Sequence, residues 1–181
     1  MKHFFTLILA LFSWAAFSQT VWHPVASGTN QKLNCISFGT AQVGFIGGND
    51  SLLLKTTDGG KTWNRLAINL SFTNNFKDIV AVNFVDALHG YLIVGPYGGG
   101  VFSTADGGAT WVDEALNQTN MCYKRSLYFE DANNGFVGGS MCFFGETIGR
   151  KQNGIWDTLF NVGDFNAANQ ITNFDFLDAQ N

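Results

Sequence analysis

Thr56-Thr57-Asp58-Gly59-Gly60-Lys61-Thr62-Trp63 returns as Thr104-Ala105-Asp106-Gly107-Gly108-Ala109-Thr110-Trp111, with the two tryptophans 48 residues apart. An eight-residue pattern repeated at that interval marks an array of equal structural units rather than one irregular domain. Apolar residues precede each copy (Leu52-Leu53-Leu54, then Val101-Phe102). After Trp63 the apolar positions Leu66, Ile68 and Leu70 alternate, the period of a half-buried strand. Asp-Gly-Gly between two strands is a hairpin connection, because glycine reaches positive φ without a Cβ clash. Asp58 and Asp106 can accept hydrogen bonds from N–H groups of their own turns, and Thr62 and Thr110 can close the same network. Trp63 and Trp111 then offer large rings for packing. A carboxylate that recurs with its turn intact reads as a folding device rather than a catalyst or a metal ligand.

A second phrase extends the period. Asn83-Phe84-Val85-Asp86-Ala87-Leu88-His89-Gly90-Tyr91 aligns with Tyr128-Phe129-Glu130-Asp131-Ala132-Asn133-Asn134-Gly135-Phe136. Ser37 to Phe45 is a looser copy, and Asp175 to Asn181 begins the phrase again, so its Phe falls at 38, 84, 129 and 176. Each phrase reads as a strand, a polar turn and a glycine-aromatic start to the next strand. The pattern predicts strands at about 79–85, 90–94 and 100–104, with a fourth from Trp111. In the next unit it predicts 126–130, 135–139, 143–150 and 155–160, around a decayed box that keeps Asn153, Gly154 and Trp156.

Four short strands per ~45 residues is the blade of a β-propeller. The expected fold is therefore all-β: a propeller of four-stranded antiparallel blades, incomplete, with about three blades plus flanking strands. The expected organisation of residues 19–181 is a lone d-type strand at 20–27, blades at 32–70, 78–116 and 124–161, and the first strand of a fourth blade at 171–178. Closed propellers use about four to eight blades. The chain is thus expected to be a truncated piece, needing the remaining blades or another copy to cover open edges and apolar faces.

Residues 1–18 read as a signal peptide: Lys2 and His3, an apolar run from Phe4 to Phe12, and small residues at Ala16 and Ser18 before Gln19. The run is shorter than the ~20 residues of a transmembrane helix. The expectation is an exported protein, periplasmic, cell-surface or secreted, without a transmembrane anchor. A net charge of −4 with ten Lys plus Arg and no basic run argues against nucleic acid and anionic membrane surfaces. His3, His23 and His89 lack zinc spacing, and the surroundings of Asp106 lack the oxygen set of a calcium loop. Gly98-Gly99-Gly100 leads into a strand, not the helix N-terminus that cradles phosphate. No metal or cofactor is expected. With Phe129 opposite Phe136, Cys122 falls across from residue 143, beside Cys142. Two readings stand: a Cys122–Cys142 disulfide, as export permits, or two free buried thiols. Cys35 remains as a small buried apolar residue.

The repeated turn resembles the Asp-box of the bacterial neuraminidase repeat, S/T-x-D-x-G-x-T-W, which joins the third and fourth strands of a propeller blade. Together with Asp-Ala-x-x-Gly-aromatic, it makes residues 20–181 resemble the propeller of photosystem II stability/assembly-factor-like proteins, and more distantly that of sortilin-type proteins. The resemblance implies a non-enzymatic, exported module that binds a protein or a surface glycan, as a scaffold or assembly factor would. The alternative is a fragment of a secreted glycoside hydrolase, sialidase-like or xyloglucanase-like. A sialidase-like site needs clustered arginines for a carboxylate, with a Tyr nucleophile and an acid/base carboxylate. Arg65, Arg125 and Arg150 are scattered, and Arg65 and Arg150 flank box turns. A xyloglucanase-like site needs two carboxylates facing a cleft. Asp86 and Asp131 belong to the repeated turn and read as its caps. Asp78 is unrepeated and reads as a catalytic candidate or a solvated loop charge. No catalytic residue is assigned.

Overall fold

The computed structural model describes residues 23–70, 77–95, 99–116, 121–141 and 146–161, excepting the side chains of Cys122, Met141, Glu146 and residues 158–161. Within them the repeated phrase becomes three separate four-stranded sheets. Blade 1 comprises β1 (Leu33–Phe38), β2 (Gly44–Gly48), β3 (Leu53–Thr56) and β4 (Asn64–Leu66). Blade 2 comprises β5 (Ile79–Phe84), β6 (Gly90–Val94), β7 (Val101–Thr104) and β8 (Val112–Asp113). Blade 3 comprises β9 (Met121–Phe129), β10 (Gly135–Met141), β11 (Glu146–Gln152) and β12 (Ile155–Asn161). In every sheet each strand pairs antiparallel with its neighbours in sequence. The chain is all-β, built of four-stranded antiparallel sheets of the propeller kind.

The three sheets share one register. Phe38, Phe84 and Phe129 end the first strands opposite Gly44, Gly90 and Gly135. Across the second and third strands those glycines face Thr56, Thr104 and Lys151. The glycines are there for space. A Cβ on Gly44, Gly90 or Gly135 would stand 2.6, 2.5 or 2.4 Å from the ring of its own Phe. A side chain at these positions would push that ring out of the blade.

The core lies between blades. β6 is buried along its whole length, which explains its continuous apolar run instead of an alternating one: both faces are covered. Phe45, Leu53 and the β5–β7 residues Ile79, Phe84, Leu92 and Phe102 close the junction of blades 1 and 2. Tyr91, Ile93, Val101, Phe129 and Val137 close that of blades 2 and 3. Phe45 stacks on Phe84 and Tyr91 on Phe129, each pair at 3.5 Å and 5°. Trp63, Trp111 and Trp156 meet the Phe of their own blade edge-on, at 6.0, 6.2 and 6.1 Å. Gly44-Phe45 and Gly90-Tyr91 therefore each serve two blades: the glycine admits its own Phe, and the aromatic carries that of the next blade. Such ring pairs contribute ~0.5–1.5 kcal/mol beyond the area they bury.

Several details differ from the sequence-based expectation. Residues 23–27, the described part of the expected lone strand at 20–27, form no strand. The first strand of blade 3 begins at Met121, earlier than 124 or 126, and the third, Glu146–Gln152, extends past 150. Phe129 pairs with Gly135, not Phe136, because its ring needs the empty glycine position. Register shifts at Gly138/Gly139 and Ser140/Met141 then carry the pairing to Met121 opposite Met141, leaving Cys122 as the extra residue of a bulge. The Cys122 side chain and Cys142 lie outside the described residues, as do residues 1–18 and 171–178.

Candidate functional site

Each intact box is a closed hydrogen-bond ring. Thr56 Oγ1 donates to Asp58 Oδ1 at 2.7 Å and accepts from the Gly60 N–H at 2.9 Å. Asp58 Oδ1 also accepts from the Thr62 N–H at 2.9 Å, and Oδ2 from Thr62 Oγ1 at 2.7 Å. Thr104, Asp106, Gly108 and Thr110 repeat every one of these bonds, at 2.6 to 3.0 Å. The Thr62 side chain and backbone hold the Asp58 carboxyl well below the ordinary range, and Thr110 holds Asp106 down to about 2. Both oxygens of both carboxylates are thus occupied within the turn. A base needs a free lone pair and a pKa near the working pH. Both carboxyls of the intact boxes are held far below such a pKa.

The boxes also fasten strand ends. Gly59, at φ 73°, donates its N–H to Gln42 O at 2.9 Å, and Gly107, at φ 71°, to Leu88 O at 2.8 Å. Gly154, at φ 79°, does the same to Asn133 O at 3.0 Å, although the third box has lost its Asp and both threonines. There Asn153, at φ 52°, and Gly154 make the two-residue turn between Gln152 and Ile155, the left-handed pair a type I′ hairpin requires. The other hairpins are capped similarly. Asp86 Oδ1 accepts from the Leu88 and His89 N–H groups, both at 2.6 Å, and Asp131 Oδ1 from Asn133 N–H at 2.6 Å. In blade 1, Thr40 Oγ1 takes this place, accepting from Val43 N–H at 2.9 Å.

The largest departure from the repeat lies at the junction of blades 2 and 3, where Lys151 occupies the register position of Thr56 and Thr104. Its ammonium is buried, 2.8 Å from Glu114 Oε2 and 3.3 Å from the Tyr91 hydroxyl. It lies over the rings of Tyr91 and Trp156, at 5.2 and 5.6 Å. The Trp156 indole N–H donates to the same Glu114 oxygen at 2.8 Å. Burial pushes the Glu114 carboxyl up, but hydrogen bonds from Lys151, Ser103 and Trp156 outweigh it and leave the group below its ordinary range. Burial pushes the Tyr91 hydroxyl up, and that hydroxyl donates to Ala132 O across the junction. A buried ion pair, an aromatic cage and a hydroxyl here do what the box ring does elsewhere. The signal was in the sequence, as a lysine where two aligned copies carry threonine. Glu114, between strands, gave none.

The remaining candidates separate. Asp78 Oδ1 accepts from the Asp50 N–H at 3.0 Å, which ties blade 2 to a blade 1 turn. Arg65 Nη1 donates to Gln31 Oε1 at 3.4 Å, and Arg150 pairs with Asp157. No arginine cluster forms among the described residues. Arg125 stands apart from the other two. It lines a cavity of about 310 Å³ framed by the first strands of all three blades, at residues 34–36, 80–82 and 125–127. Its Nε is buried and has no hydrogen-bond partner. Cys35 lies in the same cavity, with its thiol pushed up to about 11 by burial. Sequence reasoning set Arg125 aside with the scattered arginines, since only the ring-like arrangement of first strands brings these segments together.

Comparison with known proteins agrees with this geometry. Residues 14–80 match the family described as photosynthesis system II assembly factor YCF48. The chain is 30% identical over 67 residues to the photosystem II assembly lipoprotein Ycf48 of Prochlorococcus marinus (strain MIT 9313). That stretch is 37% of this chain and 20% of the relative's length. Among solved structures, "YCF48 bound to D1 peptide" superposes with a TM-score of 0.58 at 21% identity, covering 71% of this chain and 40% of that one. An ancestral GH74 enzyme superposes with the same TM-score of 0.58 at 18% identity, covering 81% of this chain and 20% of the enzyme. These two likenesses concern the fold alone. The chain thus spans less than half the length of each of these proteins. Residues 14–80 are thus similar to the photosystem II assembly factor YCF48 family, and the chain shares the β-propeller fold of the solved structures.

Proposed function

We propose that this chain is part of an exported, non-catalytic propeller that binds another protein, in the manner of an assembly factor or scaffold. The observation that carries the reading is the match of residues 14–80 to the YCF48 family, one of whose members has been solved bound to a peptide. The box chemistry supports it. The repeated carboxylates are consumed inside their turns, so the acidic residues that recur in this chain serve the blades. On this reading Thr56, Asp58, Thr62 and their counterparts hold strand ends. Partner contacts fall on the unrepeated residues.

A hydrolase fragment is the second reading, favoured only by the shared fold of the GH74 enzyme. A paired assay separates the two. The purified protein is offered a β-glucan panel and a sialoside, with release of reducing ends or sialic acid measured, and an array of overlapping peptides, with binding measured. Binding without turnover is expected. Turnover overturns the non-catalytic reading, and an array without binders overturns the protein-binding one. Export is tested by the mass of the protein recovered outside the cytoplasm, which should begin at Gln19.

A further inference from the structure

We propose that Arg125 anchors a carboxylate of an extended peptide in the cavity framed by β1, β5 and β9, an inference that rests on the protein-binding reading above. Three observations converge there. β1, β5 and β9 are each the outermost strand on one side of their sheet, so among the described residues their backbones have a ladder partner on one flank only. Their central segments line one cavity, and among the described residues no acidic side chain lines it with them. Arg125 is one of the lining residues, and its Nε is buried and unpaired.

The other cations of blade 3 are differently placed. Lys151 pairs with Glu114, and Arg150, though its own Nε is also unpaired, reaches Asp157 through Nη2. Lys124, next to Arg125, donates to Gly99 O at 2.8 Å and Met121 O at 3.0 Å. The polar groups around Arg125 do not answer it. The Asn34 amide donates to Asn49 Oδ1 and Ile79 O, both at 3.0 Å, and Cys35, held as the neutral thiol, is no anion.

A donor desolvated without a partner is costly. Once the side chain turns its Nε toward the cavity, a carboxylate relieves that cost best, because Nε–H and an adjacent Nη–H match its two oxygens in parallel. Strand edges without a ladder partner beside it suit a ligand that is itself extended, since such a chain pairs through its main chain. The carboxylate can come from a chain terminus or from a glutamate side chain, and the test distinguishes them.

The test uses the whole chain, labelled with nitrogen-15, and follows the Arg125 Nε–Hε resonance. Three N-acetylated hexapeptides of alternating serine and valine are titrated in. One has a free C-terminus. One is amidated with a central glutamate, and one is amidated without an acid. The Arg125 resonance is expected to shift with one or both acidic peptides and not with the neutral one. Arg125→Gln should weaken the responding peptide about tenfold or more, with Arg125→Lys in between. Should Arg125→Gln fail to fold, the unaltered chain still decides, because acidic-peptide affinity should fall below about pH 4 while neutral-peptide affinity does not. Equal binding of all three peptides, or undiminished binding to Arg125→Gln, overturns the anchor and leaves peptide binding itself standing. An Arg125 resonance unmoved by every peptide also overturns the anchor, whatever the peptide array shows.

Discussion

Phe45 of blade 1 lies parallel to Phe84 of blade 2, their ring centroids 3.5 Å apart. One residue further along the same junction, Ser37 Oγ accepts the Phe84 N–H at 2.9 Å. Tyr91 and Phe129 repeat the stack, and Asn83 Oδ1 repeats the hydrogen bond to the Phe129 N–H at 2.9 Å. Both junctions thus share an aromatic stack and a side chain-to-backbone bond set by the glycine-aromatic phrase and the residue before each Phe.

Loss of a junction ring should therefore cost far more than loss of the corresponding ring at an open face. Phe84→Ala removes a residue 3% exposed, with an expected destabilisation of ~3–5 kcal/mol. Phe38→Ala removes its counterpart in blade 1, which is 44% exposed, and should cost about 1 kcal/mol or less. Urea midpoints of the two variants decide it. Equal losses would show that the stack is not what joins the blades.

The same contrast should appear at the glycines. In Gly90→Ala the new Cβ meets the Phe84 ring at 2.5 Å, and that ring is fixed by Phe45 and Trp111. Overpacking of this kind costs ~1–3 kcal/mol. Gly44→Ala meets Phe38 at 2.6 Å, but Phe38 is half exposed and can turn aside, so its melting temperature should drop less.

Acid should loosen the intact boxes. Hydrogen bonds depress the carboxyls of Asp58 and Asp106 in the folded chain, Asp106 to about 2, against about 3.9 when unfolded. A depressed carboxyl stabilises the fold fully above the unfolded value, and that stabilisation is lost as pH falls through the folded one. The window for Asp106 runs from about pH 4 down to about 2. Thermal unfolding followed from pH 6 to 2 should show stability declining there in the unaltered chain. The decline should flatten in an Asp58→Asn, Asp106→Asn double variant, and identical slopes would disprove the assignment.

At the junction of blades 2 and 3, Lys151→Met strands Glu114 beside buried rings. Breaking one side of such a pair costs ~3–5 kcal/mol. Lys151→Met with Glu114→Leu removes both charges together and should recover much of that loss, because an apolar replacement of a whole buried pair is often neutral. Calorimetry of the two variants is the check. A double variant as unstable as the single one would mean that packing of the lysine stem, rather than charge, holds the junction.

The parts of this protein legible from sequence are those that depend on residues close in the chain. The blade period, the three hairpins of each unit and the closed Asp-Thr rings follow from spacing, glycine conformation and short polar side chains, all of which act over fewer than ten residues. The pairing of Phe129 was misread by one position because it is set by volume: the ring takes the place of a side chain that Gly135 lacks. Contacts between units were not legible. Lys151 and Glu114 are 37 residues apart, and the cavity around Arg125 gathers segments from three blades. Repetition announces that blades exist and where their turns fall. Only the packing of one blade on the next decides which of the unrepeated charges are paired and which guanidinium is left facing the space between first strands. Burial and pairing are set by neighbours that the chain brings near only once it has folded.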